Sequence, residues 1–346
     1  MESSGSVGEQ SGWSPQHLLI FDEQQLIGLM PLYLKTNSYG EYVFDFQWAN
    51  AYHQSGIEYF PKLVTSIPFT PCTGPRICLK RPFQDSIMLQ KLLPLIIRQI
   101  QAIAQTQKVS SWHLLFPDVM LDNQLAETDL LRRTGVQYHW FNRSYESFDD
   151  FLSQCKSKKR KNIRRERRII EQAEVNLEFV EGSDASGKLW MQFFKFYQRT
   201  YLKRSGNFGY LNWAFFEYIA NAMPEQLMFV VANFEGKIIG MSLFFKGTDT
   251  LYGRYWGAAA EYEFLHFEAC YYQAIEYCIR HKIGHFDAGA QGEHKIQRGF
   301  EPIETCSFHW IEHPQFRQAI QNFLEQEKKQ VDSAIDELAL RLPFKS

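Results

Sequence analysis

The densest group of residues that could do chemistry lies between Asp287 and Phe300. Its polar members, separated by three glycines, are Asp287, Gln291, Glu293, His294, Lys295 and Arg298. Acyl transfer to an amine needs a base that removes a proton and donors that stabilise an oxyanion. Asp287 or His294 fits the base, Arg298 and Lys295 fit the donors, and Gln291 and Glu293 are predicted to contact substrate. The alternative is a polar turn whose charges are solvated.

A second polar group lies just upstream, on and after a predicted strand. Arg254 and Tyr255 face alternate sides of this strand, and His266 and Glu268 follow it closely. We predict that these four residues position an acceptor. The alternative is that Trp256 is core and Arg254 a surface residue paired with an acid.

No metal site is expected from the histidines. His266 and Glu268 are too weakly spaced to indicate a ligand set, and His281 and His285 straddle a helix end at Gly284. The six cysteines include no CxxC pair, so we interpret them as reduced thiols.

A strongly basic segment runs from Lys156 to Arg168, with nine basic residues and one acid, Glu166. Because like charges on one helix repel, a bound anion would stabilise it. The predicted anion-binding residues are Lys158, Lys159, Arg160, Arg164 and Arg165. A tRNA, a nucleotide-linked precursor or an anionic membrane face, as a peripheral contact, would fit. Alternatively, the segment is a solvated inter-lobe helix neutralised by acids elsewhere.

In the N-terminal half, the proline-rich loop Thr70–Arg76 ends in an arginine. A stiff loop of this kind could present Arg76 to a carboxylate or phosphate through two parallel hydrogen bonds. A structural turn is the equal alternative.

Composition restricts the classes of protein. With 346 residues, 45% of them apolar, the chain can bury a large core and is nearer two domains than one. The net charge of −2 gives the whole molecule no tendency to bind nucleic acid, and no DNA partner is predicted. The N-terminus lacks signal-peptide features and no apolar run reaches the length of a spanning helix, so a cytoplasmic protein without a transmembrane segment is predicted.

The periodicity of the C-terminal half predicts a defined order of elements. A strand (175–180), a helix (186–203), a shorter helix, a three-stranded meander (227–258), a helix (267–280) and two strands (285–288, 305–311) precede a long helix (314–340). This order is that of a GNAT domain.

The N-terminal half offers a partial copy of this order. Leu18–Phe21 and Gln25–Met30 align with Phe229–Ala232 and Lys237–Ser242, so that Gly28 matches Gly240, and both halves end in His-Trp at His139 and His309. We therefore predict an α/β (α+β) fold of tandem GNAT-like lobes, each a mixed, mainly antiparallel twisted sheet flanked by helices. The predicted lobes are 1–146 and 147–346, the second opening with a basic helix (153–173) and closing with the long helix.

Four segments resemble the FemAB-like family of peptidoglycan biosynthesis and recognition. They are Pro68–Arg76, Gln137–Trp140, Ser157–Arg167 and Phe286–Lys295. The resemblance implies lobes similar to those of the Fem aminoacyltransferases, which move amino acids from aminoacyl-tRNA onto peptidoglycan precursors. It also implies a small-molecule or cell-wall precursor substrate. Members usually carry further residues before Glu2, so the first lobe is expected to be incomplete at its start.

The donor is left open between acyl-CoA and aminoacyl-tRNA. In GNAT enzymes a glycine-rich loop after the fourth strand presents backbone N–H groups to the pyrophosphate of coenzyme A. The corresponding segment, Ala258–His266, has no glycine and includes Glu261 and Glu263, which would repel a pyrophosphate. A transferase and a recognition protein with a decayed transferase site are therefore both compatible with the sequence.

Overall fold

The computed structural model describes residues 1–345 and divides into two compact units. Unit 1 comprises Met1–Glu2, Val7–Val136 and Glu304–Ile335. Unit 2 comprises Ser3–Ser6, Gln137–Ile303 and the chain from Asp336 onward. Each unit has a mixed sheet flanked by helices, so the predicted fold class is confirmed.

The first part of the chain contains seven strands and three helices. In order they are β1 (Trp13–Pro15), β2 (Leu18–Asp22), β3 (Gln25–Met30), β4 (Tyr33–Lys35), α1 (Phe46–Gln54), β5 (Lys62–Thr65), β6 (Cys78–Leu79), α2 (Ser86–Gln107), β7 (Ser111–Leu115) and α3 (Val119–Ala126). β8 (Leu131–Phe141) follows.

The second part begins with helices and ends with a long one. Its elements are α4 (Phe148–Ser153), α5 (Ser157–Gln172), β9 (Asn176–Glu181), α6 (Gly187–Ser205), α7 (Trp213–Ala222), β10 (Leu227–Phe234), β11 (Lys237–Lys246), β12 (Thr250–Ala258), α8 (Leu265–Phe267), a π-helical turn (Glu268–Tyr272), α9 (Gln273–Arg280), β13 (His285–Asp287), a 3-10 helix (Glu293–Arg298), β14 (Glu301–Ile311) and α10 (Pro314–Leu340). The predicted basic helix 153–173 is therefore α5 alone, because the chain breaks between α4 and α5 around Cys155, where Lys156 N–H donates to the Pro343 carbonyl.

In unit 1 the strand order is β1-β4-β5-β7-β14, with β2-β3-β6 as a separate small sheet. α2 packs on this unit because Leu89, Leu93, Ile96 and Ile100 recur at helical spacing and are buried. By length and composition alone α2 is also apolar enough to cross a membrane. The sequence has no unbroken apolar run of spanning length there, because polar residues interrupt the helix.

In unit 2 the order is β8-β13-β12-β11-β10-β9. The meander β10-β11-β12 is antiparallel as predicted, with its first turn at Glu235 and Gly236, both at positive φ. β13 runs parallel to β12 but pairs only with Thr250–Tyr252, so the rest of β12 has no β13 partner.

The closing strands of the two halves are exchanged between the units. His139 and Trp140 of β8 pair with β13 in unit 2, whereas His309 and Trp310 of β14 pair with β7 in unit 1. Residues 137–146, assigned by the sequence analysis to the first lobe, therefore pack in unit 2, and residues 304–335 pack in unit 1.

Candidate active site

A cavity of about 80 Å³ lies in unit 2 where β12 continues past its pairing with β13. Its walls come from β11, β12, the π-helical turn and the residue after β13. They are Ser242, Leu243, Phe244, Gly253, Arg254, Tyr255, Trp256, His266, Cys270, Tyr271 and Ala288. Three predicted substrate-binding residues, Arg254, Tyr255 and His266, thus share one cavity.

The cavity wall on β12 is held in place by α6. A side chain at Gly257 would lie 2.4 Å from the carbonyl of Phe196, so only glycine permits this approach of helix and strand. Tyr255 packs edge-on against Tyr197 of α6, with ring centroids 5.4 Å apart. This packing fixes the side of the cavity that Tyr255 forms.

Asp287 is buried at the end of β13 and pairs with Arg254. Its carboxylate accepts from Arg254 Nη2 at 2.9 Å and from the Gly289 backbone N–H at 2.7 Å. Burial opposes ionisation, but Arg254, His139 and the Gly289 N–H outweigh it and hold the pKa of Asp287 below its usual value. Asp287 is therefore a stable carboxylate that positions Arg254, and a weak base.

His294 is exposed, but it contacts the cavity wall through a tyrosine. Its Nε2 lies 3.0 Å from the hydroxyl of Tyr271, which is 4% exposed and lines the cavity. Burial, Arg298 and Lys295 lower the pKa of His294, so its imidazole is neutral at neutral pH. A neutral ring bonded to this hydroxyl can accept a proton from the cavity by way of Tyr271.

Lys295 stabilises the glycine-containing loop. Its buried Nζ donates to the carbonyls of Ala288 at 2.9 Å and Gly289 at 2.6 Å. Burial lowers its pKa to about 8. In this arrangement the ammonium group holds the loop after β13 and adds positive charge beside the cavity.

Arg298 connects the 3-10 helix to α5. It pairs with Glu166, with Nη2 at 3.0 and 2.9 Å from the two carboxylate oxygens, and Nη1 donates to the His294 carbonyl at 2.9 Å. Its guanidinium also stacks 3.4 Å from the ring centroid of Phe267. These contacts hold the main chain of His294, so the structure places Arg298 as a support for that residue.

The remaining predicted residues of unit 2 lie away from the cavity lining. Glu268 is buried and accepts from Arg167 at 3.2 Å and from Gln273 at 2.7 Å. Gln291 and Glu293 are exposed, and Glu293 pairs with Arg341 at 3.2 Å.

In unit 1, Arg76 is fully buried in its loop. Its guanidinium donates to the carbonyls of Leu115 at 2.7 Å and Gly74 at 3.1 Å, and also to those of Pro75 and Cys72. These bonds are those of the structural turn considered as the alternative.

The basic helix α5 has two different faces. Glu166 and Arg167 point inward, where Arg167 pairs with Glu268 and with Glu276 at 2.9 Å. Lys158, Lys161, Arg165 and Arg168 are exposed, and none of the ion pairs found within residues 1–345 involves them. Lys159 and Arg160 are half-buried, and Arg164 pairs with Asp149 at 2.9 Å.

Several site residues were missed by the sequence analysis. Tyr271 was assigned to the apolar face of the predicted helix 267–280 and Cys270 was interpreted only as a reduced thiol, whereas the π-helical turn directs both to the cavity. His139 was noted as a repeat signal and within the family-like segment Gln137–Trp140 but not as a site residue, yet its Nδ1 lies 2.6 Å from His285 Nε2 and its Nε2 is 3.8 Å from Asp287. Local periodicity carries no sign of these contacts, because the partners lie far apart in sequence.

Unit 1 has a buried polar centre of its own. Lys62 is fully buried and pairs with Asp45 and, at 2.8 Å, with Glu41. Tyr59 donates to Asp45 at 2.5 Å, and His113 Nδ1 lies 2.8 Å from His309 Nδ1. The sequence does not indicate this centre, because an isolated lysine in a strand does not show where it will be buried.

The segment Ala258–Phe264 does not form a pyrophosphate cradle rich in glycine. Glu261 pairs with Lys203, Glu263 is exposed, and the N–H of Ala259 donates to the Ile239 carbonyl. Across residues 1–345 no group of three or more His, Cys, Asp or Glu side chains is arranged to hold a metal ion.

The family model described as peptidoglycan biosynthesis/recognition, FemAB-like, matches residues 1–346. The chain belongs to this family. No curated protein shows significant sequence similarity to this FemAB-like chain.

Solved structures share the fold at low identity. The crystal structure of FemX is 11% identical, with a TM-score of 0.53 and 93% of each chain covered. The C-terminal domain of a putative lysylphosphatidylglycerol synthetase from Agrobacterium fabrum is 10% identical, with a TM-score of 0.53 and coverage of 92% of this chain and 89% of that one. L-PGS from Bacillus licheniformis is 9% identical, with a TM-score of 0.52 and coverage of 99% and 93%.

Proposed function

We propose that this FemAB-like protein is a cytoplasmic N-acyltransferase or aminoacyltransferase that transfers an acyl or aminoacyl group to an amine. The observation that carries the proposal is the cavity of unit 2, whose wall includes a tyrosine hydroxyl bonded to a neutral, exposed imidazole. Family membership and the shared fold with FemX support a cell-wall precursor as the acceptor.

In the proposed reaction the amine nitrogen attacks the carbonyl carbon of the donor. A carbon–nitrogen bond forms, and the carbon–oxygen bond of an ester or the carbon–sulfur bond of a thioester breaks. Tyr271 takes the amine proton while His294 accepts the tyrosine proton, and the leaving oxygen or sulfur is protonated from this pair. Arg254, fixed by Asp287, lies in the cavity wall and stabilises the developing oxyanion.

The experiment compares Tyr271→Phe with wild type in a turnover assay containing acyl-CoA or aminoacyl-tRNA as donor and nucleotide-linked muropeptides as acceptors. We expect kcat to fall by about 10²-fold or more, because one proton-transfer group is lost. His294→Gln should lower kcat similarly, and Asp287→Asn should do so by releasing Arg254. Tyr218→Phe, at an exposed position on α7, is the matched control and should retain full activity. Unchanged turnover in Tyr271→Phe would remove the proposed base.

The alternative is a recognition protein whose transferase site has decayed. It is favoured by the acidic segment that stands where coenzyme A binds in GNAT enzymes. Thermal shifts with the same donors and acceptors, without product in the turnover assay, would support this alternative.

A further inference from the structure

We propose that a groove in unit 1 binds a free α-amino acid that has an apolar side chain. The groove has a volume of about 800 Å³ and lies between α2, the loop from α3 to β8, the end of β14 and the start of α10. All of its lining residues belong to unit 1, so we call it the unit 1 groove. It shares no lining residue with the cavity of unit 2. Its volume is within the range of roughly 300–1,000 Å³ that is usual for small-molecule sites.

The floor of the unit 1 groove is apolar. Ile97 of α2, Leu130 of the loop and Trp310 of β14 are half-buried and pack on the core of unit 1. Their remaining surface faces the groove, where a ligand can cover it. Because covering apolar surface is favourable and an indole ring is large and flat, this floor suits an aliphatic or aromatic side chain.

Two arginines and two acidic residues also line the groove. They are Arg98 of α2, Arg317 of α10, and Glu127 and Asp129 of the loop. None of the ion pairs formed within residues 1–345 involves these four side chains. Opposite charges therefore share one groove without pairing with each other, and a ligand can pair with both signs.

Both arginines keep donors for a ligand. Within the described chain Arg98 donates only through Nε, to the Pro94 carbonyl at 3.2 Å, and Arg317 donates through Nη2 to the Asp129 carbonyl at 2.6 Å. A guanidinium carries five N–H donors, so both Nη groups of Arg98 remain for a carboxylate, which they can bind through two parallel hydrogen bonds. We therefore assign the carboxylate of the ligand to Arg98.

The balance of charge in the groove distinguishes between ligands. A phosphate or a nucleotide would be attracted by the arginines but repelled by Glu127 and Asp129. An α-amino acid carries one ammonium and one carboxylate, so the two acids can accept from the ammonium while Arg98 donates to the carboxylate. Its side chain then lies on Trp310. The charges of the groove sum to zero, as do those of this ligand.

The test is isothermal titration calorimetry of the full chain with L-phenylalanine and with three compounds that each lack one of its groups. We expect saturable binding of one phenylalanine per chain. Phenylalaninamide lacks the carboxylate, N-acetylphenylalanine lacks the ammonium, and glycine lacks the side chain. Each of them should bind at least about tenfold more weakly, since it loses a charge-assisted hydrogen bond or the apolar contact. Equal affinities for all four compounds, or no binding of phenylalanine, would overturn the proposal.

A variant at Arg98 tests whether binding occurs in the groove. Arg98→Gln should raise the Kd for phenylalanine at least about tenfold and remove the preference for phenylalanine over phenylalaninamide. The matched control is Lys91→Gln, which removes an exposed cation of α2 outside the groove and should bind phenylalanine as wild type does. Arg98 is exposed, so its replacement should leave the core of unit 1 intact, which circular dichroism checks. An unchanged Kd in Arg98→Gln would contradict the assignment of the carboxylate.

The acidic residues of the loop have a test of their own. The double variant Glu127→Gln/Asp129→Asn should bind phenylalanine no more tightly than N-acetylphenylalanine, because the partners of the ammonium are lost. Its matched control, Asp22→Asn/Glu325→Gln, removes two exposed acids of unit 1 that lie outside the groove and should retain the preference. A preference retained in both double variants would overturn the role of the acids.

Two further outcomes would also overturn the proposal. Loss of phenylalanine binding in Arg254→Gln, with normal binding in Arg98→Gln, would place the amino acid in the cavity of unit 2. Tighter binding of a tripeptide with a central phenylalanine than of phenylalanine itself would show that the groove takes peptides instead. Because the groove and the cavity share no lining residue, neither the success nor the failure of this test decides the proposed transferase function.

Discussion

Both units place two histidines in contact between antiparallel strands, but they use these pairs differently. In unit 1 the His113–His309 pair lies with Lys62, Asp45 and Tyr59 in a centre whose side chains are all at most 5% exposed. In unit 2 the His139–His285 pair adjoins Asp287, whose partner Arg254 lines a cavity. One strand arrangement thus supports a sealed ionic core in one unit and an ion pair beside a cavity in the other.

The largest expected effect is on the sealed centre. Lys62→Met leaves the Asp45 carboxylate buried without its cation and leaves Glu41 with only Lys35, 4.0 Å away, so the free energy of unfolding should fall by about 3–5 kcal/mol. Denaturant unfolding measures this loss. Lys328→Met, which removes an exposed ion pair to Asp332 on α10, should cost less than about 0.5 kcal/mol. Similar costs for the two variants would contradict a structural role for the unit 1 centre.

The two histidine pairs should both make stability sensitive to acid. Burial lowers the pKa of His113 to about 3 and that of His139 to about 4, whereas an unfolded histidine titrates near about 6.5. The unfolded chain therefore binds more protons between these values, and stability is lost as the pH falls from about 6.5 towards 4.

Each buried histidine contributes a slope of about 1.4 kcal/mol per pH unit in this window. Denaturant unfolding at several pH values should show a shallower slope for His113→Gln in unit 1 and for His139→Gln in unit 2. His53→Gln, at an exposed position, is the control. An unchanged slope for either buried variant would show that its imidazole is protonated in the folded protein.

The smallest expected effect on the free energy of unfolding comes from removing the hydroxyl of a buried tyrosine in each unit. The hydroxyl of Tyr52 in unit 1 has no hydrogen-bond partner among residues 1–345, whereas that of Tyr272 in unit 2 donates to Glu166. Tyr52→Phe should change the free energy of unfolding by less than about 0.5 kcal/mol, and Tyr272→Phe should lower it by about 1–2 kcal/mol. Thermal or denaturant unfolding measures both changes. A larger loss of stability for Tyr52→Phe than for Tyr272→Phe would contradict these contacts.

Much of the secondary structure could be predicted because it depends on local patterns. The meander of β10, β11 and β12 follows from alternating residues and turn glycines, and α2 from apolar residues at helical spacing. Asp287, Arg254, Tyr255 and His266 were also found in sequence, since polar residues after strands stand out.

What could not be predicted depends on pairs far apart in the chain. Arg298 was interpreted as a free donor, but Glu166, 132 residues earlier, binds it. Tyr271 fits an apolar helical face, and only the π-helical turn places it in the cavity wall. The exchange of β8 and β14 is likewise a matter of long-range pairing, which local periodicity does not encode.

The exchanged strand β14 has a consequence for synthesis on the ribosome. Residues up to Val136 of unit 1 emerge early, but His309 and the rest of β14 are translated only after residues 137–303 of unit 2. During most of translation β7 has an open edge and His113 lacks its partner imidazole. Synthesis of unit 1 therefore begins first, yet unit 1 can be completed only after most of unit 2 has been made.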